Sequence, residues 1–349
     1  MQESPSSERF HAAARADGFV LSGVAPAVQL ADYSIYLQWV RDGMAGPMGY
    51  LADHRAEVRA EPQRLMASAR SVLCLGKLYK TRDVDQGEGL GKVSRYAWGG
   101  ADYHEILRRD LEGLAKTLLE YWGPFEYRIL VDTAPLLERS YARAAGLGWI
   151  GKNTCLINEP LGSWFFLGEI LVSVELPAGA PPPDRCGSCT RCIDACPTGA
   201  LIPGPGAPGP DWQLDARLCI STLTIEQRGL LPEPLRAQSG THLFGCDICQ
   251  EVCPWNRRAP SSIEMEFHPA NAALELGEMA GLSREEFRAR FRATPLWRTK
   301  YEGFLRNVAT AMGNTRDPRH RPALERLAAH ADPAIAEHAR WALDRLEVE

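Results

Sequence analysis

The chain has no uninterrupted apolar stretch approaching the roughly 20 residues that a helix needs to cross a bilayer. No basic, apolar, small-residue leader precedes its first polar helix either, so the expectation is a soluble, cytoplasmic protein without membrane contact. It also lacks a surplus of positive charge: 39 Lys and Arg against 44 Asp and Glu leave a net charge of -5, which argues against a general nucleic-acid binder. A dinucleotide fingerprint is missing too. The stretch GLGWIG at residues 146–151 spells GxGxxG, but it follows a helical run rather than a strand and reads as a helix C-cap leading into a loop. What remains is a chain of 349 residues with an ordinary apolar content of 45%, enough for two or three domains with a sizeable core.

Cysteine is abundant, and its arrangement carries the most information. Of the 10 cysteines, one run comprises Cys186, Cys189, Cys192 and Cys196 before Pro197, and a second comprises Cys219, Cys246, Cys249 and Cys253 before Pro254. The first run has bacterial ferredoxin spacing, in which three thiolates of one loop hold three irons of a cubane and the fourth cysteine ligates the other cluster. Cys186, Cys189, Cys192 and Cys253 are therefore assigned to one [4Fe-4S] cluster, and Cys196, Cys219, Cys246 and Cys249 to a second. Leu243 occupies the first cysteine position expected of the second run, which leaves Cys219 to complete the set. Structural zinc favours two separated CxxC pairs, and a cytosolic chain keeps thiols reduced, so clusters are preferred to zinc and zinc to disulfides. Cys74 and Cys155 fall outside the pattern and are expected to be buried core thiols.

Helices and strands alternate in the first half. Residues 101–122 place Ile106, Leu107, Leu111, Leu114, Leu118 and Trp122 at helical spacing behind a candidate N-cap, Asp102, with Glu105 completing a start like a capping box. Residues 72–75, 125–132 and 164–174 read as strands, and the alternation suggests an α/β layer. Pro-rich residues 177–183 mark a boundary before the cysteine-bearing segment, and residues 203–210 read as a loop inserted within that segment. Beyond residue 275 the chain is again helical. Residues 305–314 (LRNVATAMGN) and 336–345 (AEHARWALDR) resemble each other, which suggests paired helical hairpins of the HEAT kind. Between Arg284 and Arg326 Lys and Arg outnumber Asp and Glu, beside Phe287, Phe291, Trp297, Tyr301 and Phe304, a combination suited to RNA phosphates and bases.

Clusters transfer electrons and rarely do organic chemistry alone, so the α/β half should hold a substrate or a second cofactor. Its most unusual stretch is residues 132–153, DTAPLLERSYARAAGLGWIGKN. Together with SRYAWGGADYHEILRRDL at 94–111, MGYLADHRAEVR at 48–59 and FGCDICQEVCPWN at 244–256, it resembles the epoxyqueuosine reductases over essentially the whole chain.

The resemblance implies three parts: a cobalamin-binding catalytic domain at 1–176, a ferredoxin-like domain with two [4Fe-4S] clusters at 177–262, and a HEAT-like helical domain contacting tRNA at 263–349. It implies two-electron reduction of the epoxide of epoxyqueuosine at the tRNA wobble position, giving queuosine and water. Asp132 matches the family's proton donor, and burial beside a corrin would raise its pKa enough to keep the proton near neutrality. Arg55, Tyr96 and Ala97 match positions near the corrin, with Lys152, Ser221, Gly245 and Asp247 as further cofactor-binding candidates. A DxHxxG corrinoid motif is broken at Leu107, so His104 is expected to line the pocket rather than ligate cobalt. The chain is expected to be a monomer fed by an unidentified electron donor. A reductive dehalogenase and a ferredoxin-type electron-transfer subunit are the rival readings.

Overall fold

The computed structural model describes residues 5–87, 89–206 and 211–347. At its centre lies a four-stranded sheet whose spatial order is Leu21–Pro26, Ser71–Leu78, Phe165–Val172, Tyr127–Leu130, with every neighbouring pair antiparallel. The three strands expected from sequence are present. Leu21–Pro26 was not foreseen, and its antiparallel pairing makes the layer α+β rather than a succession of parallel βαβ units.

Both faces of the sheet are covered, which is why Ser71–Leu78 is apolar almost throughout and buried at every position. Leu73, Leu75, Ile170 and Val172 pack with Ile106, Leu107, Leu111, Leu114, Leu118 and Trp122 of the helix Tyr103–Trp122. Val72, Cys74, Leu130 and Leu171 pack instead with Leu136, Tyr141 and Ala142 around the helix Glu138–Ala144. Cys74 is thus a core thiol as expected. The long helix is capped by Asp102, whose side chain accepts the His104 N–H, and ends at Gly123 with φ 80°. Glu105 makes no capping box, because its carboxylate pairs with Arg108 at 2.7 Å.

A second, three-stranded sheet draws one strand from each expected domain. Leu90–Val93 pairs in parallel with His242–Phe244 and antiparallel with Ala273–Glu275. The inserted loop forms a hairpin, Leu201–Pro203 with Trp212–Leu214, whose residues 207–210 lie outside the described residues.

The two similar C-terminal segments lie on the helices Lys300–Thr315 and Pro333–Glu347, which pack closely: a Cβ on Gly313 would stand 2.7 Å from the Ala342 backbone. Arg306 and Asn307 bind the first of these helices to the cluster segment. Arg306 is 1% exposed and donates to the carbonyls of Gln227, Gly229 and Leu223 at 2.8–2.9 Å. Asn307 donates to Thr224 and Leu243 at 2.8 and 2.9 Å. Among the described residues no helix is long and apolar enough to cross a membrane.

Replacing Arg306 by Met leaves three buried carbonyls without donors, at a cost of about 1–3 kcal/mol for each group left unpaired. Arg306→Met is expected to lower the thermal midpoint by several degrees and to speed hydrogen exchange in residues 220–245. An unchanged midpoint and exchange pattern would show that these bonds do not secure the helix.

Candidate active site and cysteine cavities

The loop after Tyr127–Leu130 brings Asp132 out of the sheet with φ 44°, in the left-handed region that few side chains tolerate. Asp132 caps no helix, since the next helix has Leu137 at its cap position. Its Oδ2 lies 3.0 Å from His104 Nε2, and His104 Nδ1 lies 2.6 Å from Asp102 Oδ1. The N-cap and the proton site thus share Asp102.

Burial disfavours the His104 imidazolium, but the hydrogen bonds and charges of Asp102 and Asp132 overcome this and raise its pKa to about 9. Burial likewise pushes the Asp132 carboxyl upward, yet the hydrogen bond and charge of His104, with Arg298 farther off, hold it below the usual carboxylate range. In the protein alone, the site's raised pKa therefore belongs to His104 and not to Asp132. Near neutrality the proton resides on His104, between two carboxylates. With both ring nitrogens engaged, His104 has none left for a metal.

Around this array stand aromatic and cationic groups from distant parts of the chain. Tyr103 stacks on Phe166 at 4.2 Å and meets Tyr96 edge-on at 5.9 Å. Arg298 lies over the Tyr50 ring at 5.3 Å and is held by Glu226 at 2.6 Å; the charges of Asp132 and Arg298 both reach Tyr50. Arg55 also lies over Tyr50, at 5.5 Å, its guanidinium paired with Asp53 at 2.6 Å. Ala97 is fully buried in the core shared with the C-terminal helices, and its N–H is taken by the Ser94 carbonyl at 2.9 Å, so it exposes neither side chain nor backbone.

The remaining cofactor candidates sit toward the cysteines. Gly245 has φ 70°, donates to Thr224 Oγ1 at 3.0 Å, and approaches Ser94 so closely that a Cβ would stand 2.4 Å from its hydroxyl. Asp247 is buried and accepts from Ser94 Oγ at 2.9 Å and Arg95 N at 2.6 Å, tying the second cysteine loop to the turn that carries Tyr96; burial raises its pKa to about 6. Ser221 lies just after Cys219, and its backbone N–H faces that thiol. Lys152 donates to the carbonyls of Gly187 and Cys189 at 2.7 and 3.1 Å, clamping the first cysteine loop.

Cys186, Cys189, Cys192 and Cys253 line one cavity of about 230 Å³, with Lys152, Arg185 and Arg191 at its wall. Cys196, Cys219 and Cys246 are electrostatic neighbours of one another, and Cys249 joins this second group through Cys219 and Cys246. These are the two sets read from the interlocked spacing, and each offers four thiols, the donor set of a cubane. Cys155 departs from expectation: its thiol reaches Cys249 rather than the apolar core.

The basic tail also differs. Phe287, Phe291 and Phe304 are core residues, and Arg306 is buried. Arg284, Arg290, Arg298 and Arg319 are paired with Glu302, Glu278, Glu226 and Asp317. Arg288, Arg292 and Arg316 form no ion pair among the described residues, and the first two line a shallow open depression with Glu285, Ala289 and Ala293. Tyr50, Arg298 and Glu226 were missed in the sequence. MGYLADHR was noticed for Arg55, whereas Arg298 lay hidden within the basic count.

Residues 59–133 match the family described as "Epoxyqueuosine reductase QueG, DUF1730", and residues 185–256 match "4Fe-4S double cluster binding domain". An epoxyqueuosine reductase of Pseudomonas aeruginosa is 42% identical over 340 residues, covering 94% of this chain and 91% of its own. One of Xanthomonas campestris is 41% identical over 345 residues, covering 96% and 94%. The crystal structure of an epoxyqueuosine reductase with an epoxyqueuosine-modified tRNA stem loop superposes with a TM-score of 0.86 at 30% identity, over 98% of this chain and 90% of that one. Identity at this level across nearly the full length shows that the chain belongs to the epoxyqueuosine reductase family.

Proposed function

We propose that the chain reduces the epoxide of epoxyqueuosine in a tRNA anticodon to the alkene of queuosine. The Asp102–His104–Asp132 array carries this reading: an electron carrier has no need of an imidazolium between two carboxylates, and epoxide reduction does. The reaction consumes two electrons and two protons and releases the epoxide oxygen as water. The Asp132 carboxyl, whose Oδ2 meets His104 Nε2, takes up the proton held on His104 and delivers it through its other oxygen to the leaving epoxide oxygen, leaving the imidazole neutral, while Asp102 keeps the ring oriented and solvent supplies the second proton. The half-exposed Asp132 carboxyl suits a group that must touch substrate.

Two [4Fe-4S] clusters fit the two cysteine groups, and the wall of aromatic rings and guanidinium groups beside Asp132 fits a corrin. Cobalamin supplies a strongly reducing cobalt centre when bound. Arg55, Tyr96 and Asp132 would hold it, with the buried Ala97 and Gly245 setting the backbone behind Tyr96, whereas Lys152, Ser221 and Asp247 support the cluster loops. The helices Lys300–Thr315 and Pro333–Glu347 form a HEAT-like pair, and the unpaired Arg316 at the end of the first, with Arg288 and Arg292 of the preceding helix Arg284–Phe291 and its cap, receives the tRNA backbone. The protein works as a cytoplasmic monomer with a separate electron donor, in three parts spanning 1–176, 177–262 and 263–349.

Anaerobically reconstituted protein is expected to hold about eight iron and eight sulfide. Cys253→Ala should remove the same paramagnetic signal as Cys186→Ala, and Cys196→Ala the same signal as Cys219→Ala; pairing of Cys253 with Cys219 would refute the assignment.

Asp132→Asn keeps the shape of the side chain but cannot relay a proton. Queuosine formation from modified tRNA under a strong reductant should fall by about 100-fold or more, with clusters, cobalamin and tRNA still bound. Near-normal formation by fully loaded protein would end the donor role. The wild-type rate should fall as pH rises through about 9, where His104 gives up its proton.

Reversing Arg288 and Arg292 to Glu together should weaken tRNA binding and flatten its salt dependence. An unchanged salt slope would move the RNA surface elsewhere.

A further inference from the structure

The stretch GLGWIG at 146–151 opens a hairpin that touches both cysteine groups. Its strands Trp149–Ile150 and Leu156–Ile157 pair antiparallel. A Cβ on Gly148 would stand 2.1 Å from the Ile157 carbonyl oxygen, and one on Gly151 2.4 Å from the Ile157 side chain, so glycine at both positions lets the hairpin close. From its turn, Lys152 clamps the first cysteine loop and Asn153 Nδ2 donates to the Cys249 carbonyl at 3.4 Å. These bonds fix Trp149 in place against the cysteines.

Trp149 is 3% exposed, and its indole Nε1 is buried without a hydrogen-bond partner among the described residues. An indole N–H can only donate, and a buried tryptophan usually finds an acceptor. The ring forms a small apolar cluster with Ile157 and Cys253, against which Cys186 and Trp255 pack, and it meets the Trp255 ring edge-on at 5.1 Å. All four of these neighbours line the cavity of the first cysteine group. Burial raises the pKa of the Cys186 thiol, while the Lys152 peptide N–H and the Trp149 indole N–H oppose that shift by favouring the thiolate.

We propose that Trp149 donates its indole N–H to a sulfur of the first [4Fe-4S] cluster, the Cys186 thiolate or a sulfide of the cubane, and so sets that cluster's reduction potential. This deepens the electron-transfer reading and rests on the assignment of Cys186, Cys189, Cys192 and Cys253 to one cluster. Each reduction transfers one electron from the external reductant and adds one negative charge, with no bond made or broken. An N–H beside the sulfurs therefore stabilises the reduced state more than the oxidised one and raises the potential.

The test uses full-length protein loaded anaerobically with both clusters. Trp149→Phe keeps an aromatic ring and removes the N–H. In a redox titration followed by paramagnetic resonance, the reduced-to-oxidised ratio of the first cluster at a fixed potential should drop about tenfold, a shift of about 59 mV to more negative potential for one electron. The second cluster should titrate as in wild type. The first-cluster signal is the one that Cys186→Ala removes. Pulsed resonance of that reduced cluster in protein labelled with ¹⁵N at the indole should show a coupled nitrogen, retained in Trp255→Phe and lost in Trp149→Phe. An unchanged potential in fully loaded Trp149→Phe, or a wild-type spectrum without indole coupling, overturns the proposal. Should Trp149→Phe fail to load, the wild-type and Trp255→Phe spectra decide: coupling retained without Trp255 supports the bond, and coupling lost with it refutes the bond. Different signals removed by Cys253→Ala and Cys186→Ala would overturn the cluster assignment itself, a result independent of Trp149.

Discussion

Arg306 has five guanidinium N–H donors and almost no access to water, so the segment it meets must present backbone acceptors in the right places. It does so with the carbonyls of Leu223, within the short helix Ile220–Ile225 that follows Cys219, and of Gln227 and Gly229 just beyond that helix. Burial lowers the Arg306 pKa to about 9, yet the side chain remains charged at neutrality. The C-terminal helix therefore keeps its donors aligned beside the second cysteine group. Thr224, anchored by Asn307, passes the constraint to Gly245, and Asp247 passes it to Ser94 and Arg95. A continuous set of buried hydrogen bonds thus joins the helical tail, the cysteine loop and the turn bearing Tyr96.

Much of this was legible in the primary structure where the chemistry is local. Cysteine spacing identified both thiol groups because a cubane fixes the geometry of a short loop, and helix periodicity located Tyr103–Trp122 because one face alone is buried. Asp132 was reached through the family resemblance. The protonation of its site was not, since the charge on His104 depends on a contact across residues 102–132 that no periodicity encodes. Arg298 and Tyr50 were obscure for the same reason: their neighbours are remote in sequence.

The tail shows how composition misleads. Aromatics and arginines in one stretch suggested a surface for bases and phosphates, but burial divides them. The phenylalanines fill the core among the helices, Arg284, Arg290 and Arg298 are neutralised by glutamates, Arg319 by Asp317, and Arg306 is buried, so only part of the charge is left for a polyanion. Net charge over a segment is a sum over both faces of its helices, whereas a polyanion meets only one.

The three-stranded sheet has a bearing on how the protein is made. Its central strand, Leu90–Val93, leaves the ribosome long before His242–Phe244 and Ala273–Glu275, the strands that occupy its two edges. Until those segments emerge, the nascent chain carries a strand open on both sides and cysteines whose enclosing scaffold has not been synthesised. Vectorial, domain-by-domain maturation is therefore unsuited to this topology, and assembly of the inorganic centres has to follow closure of the polypeptide rather than accompany its elongation.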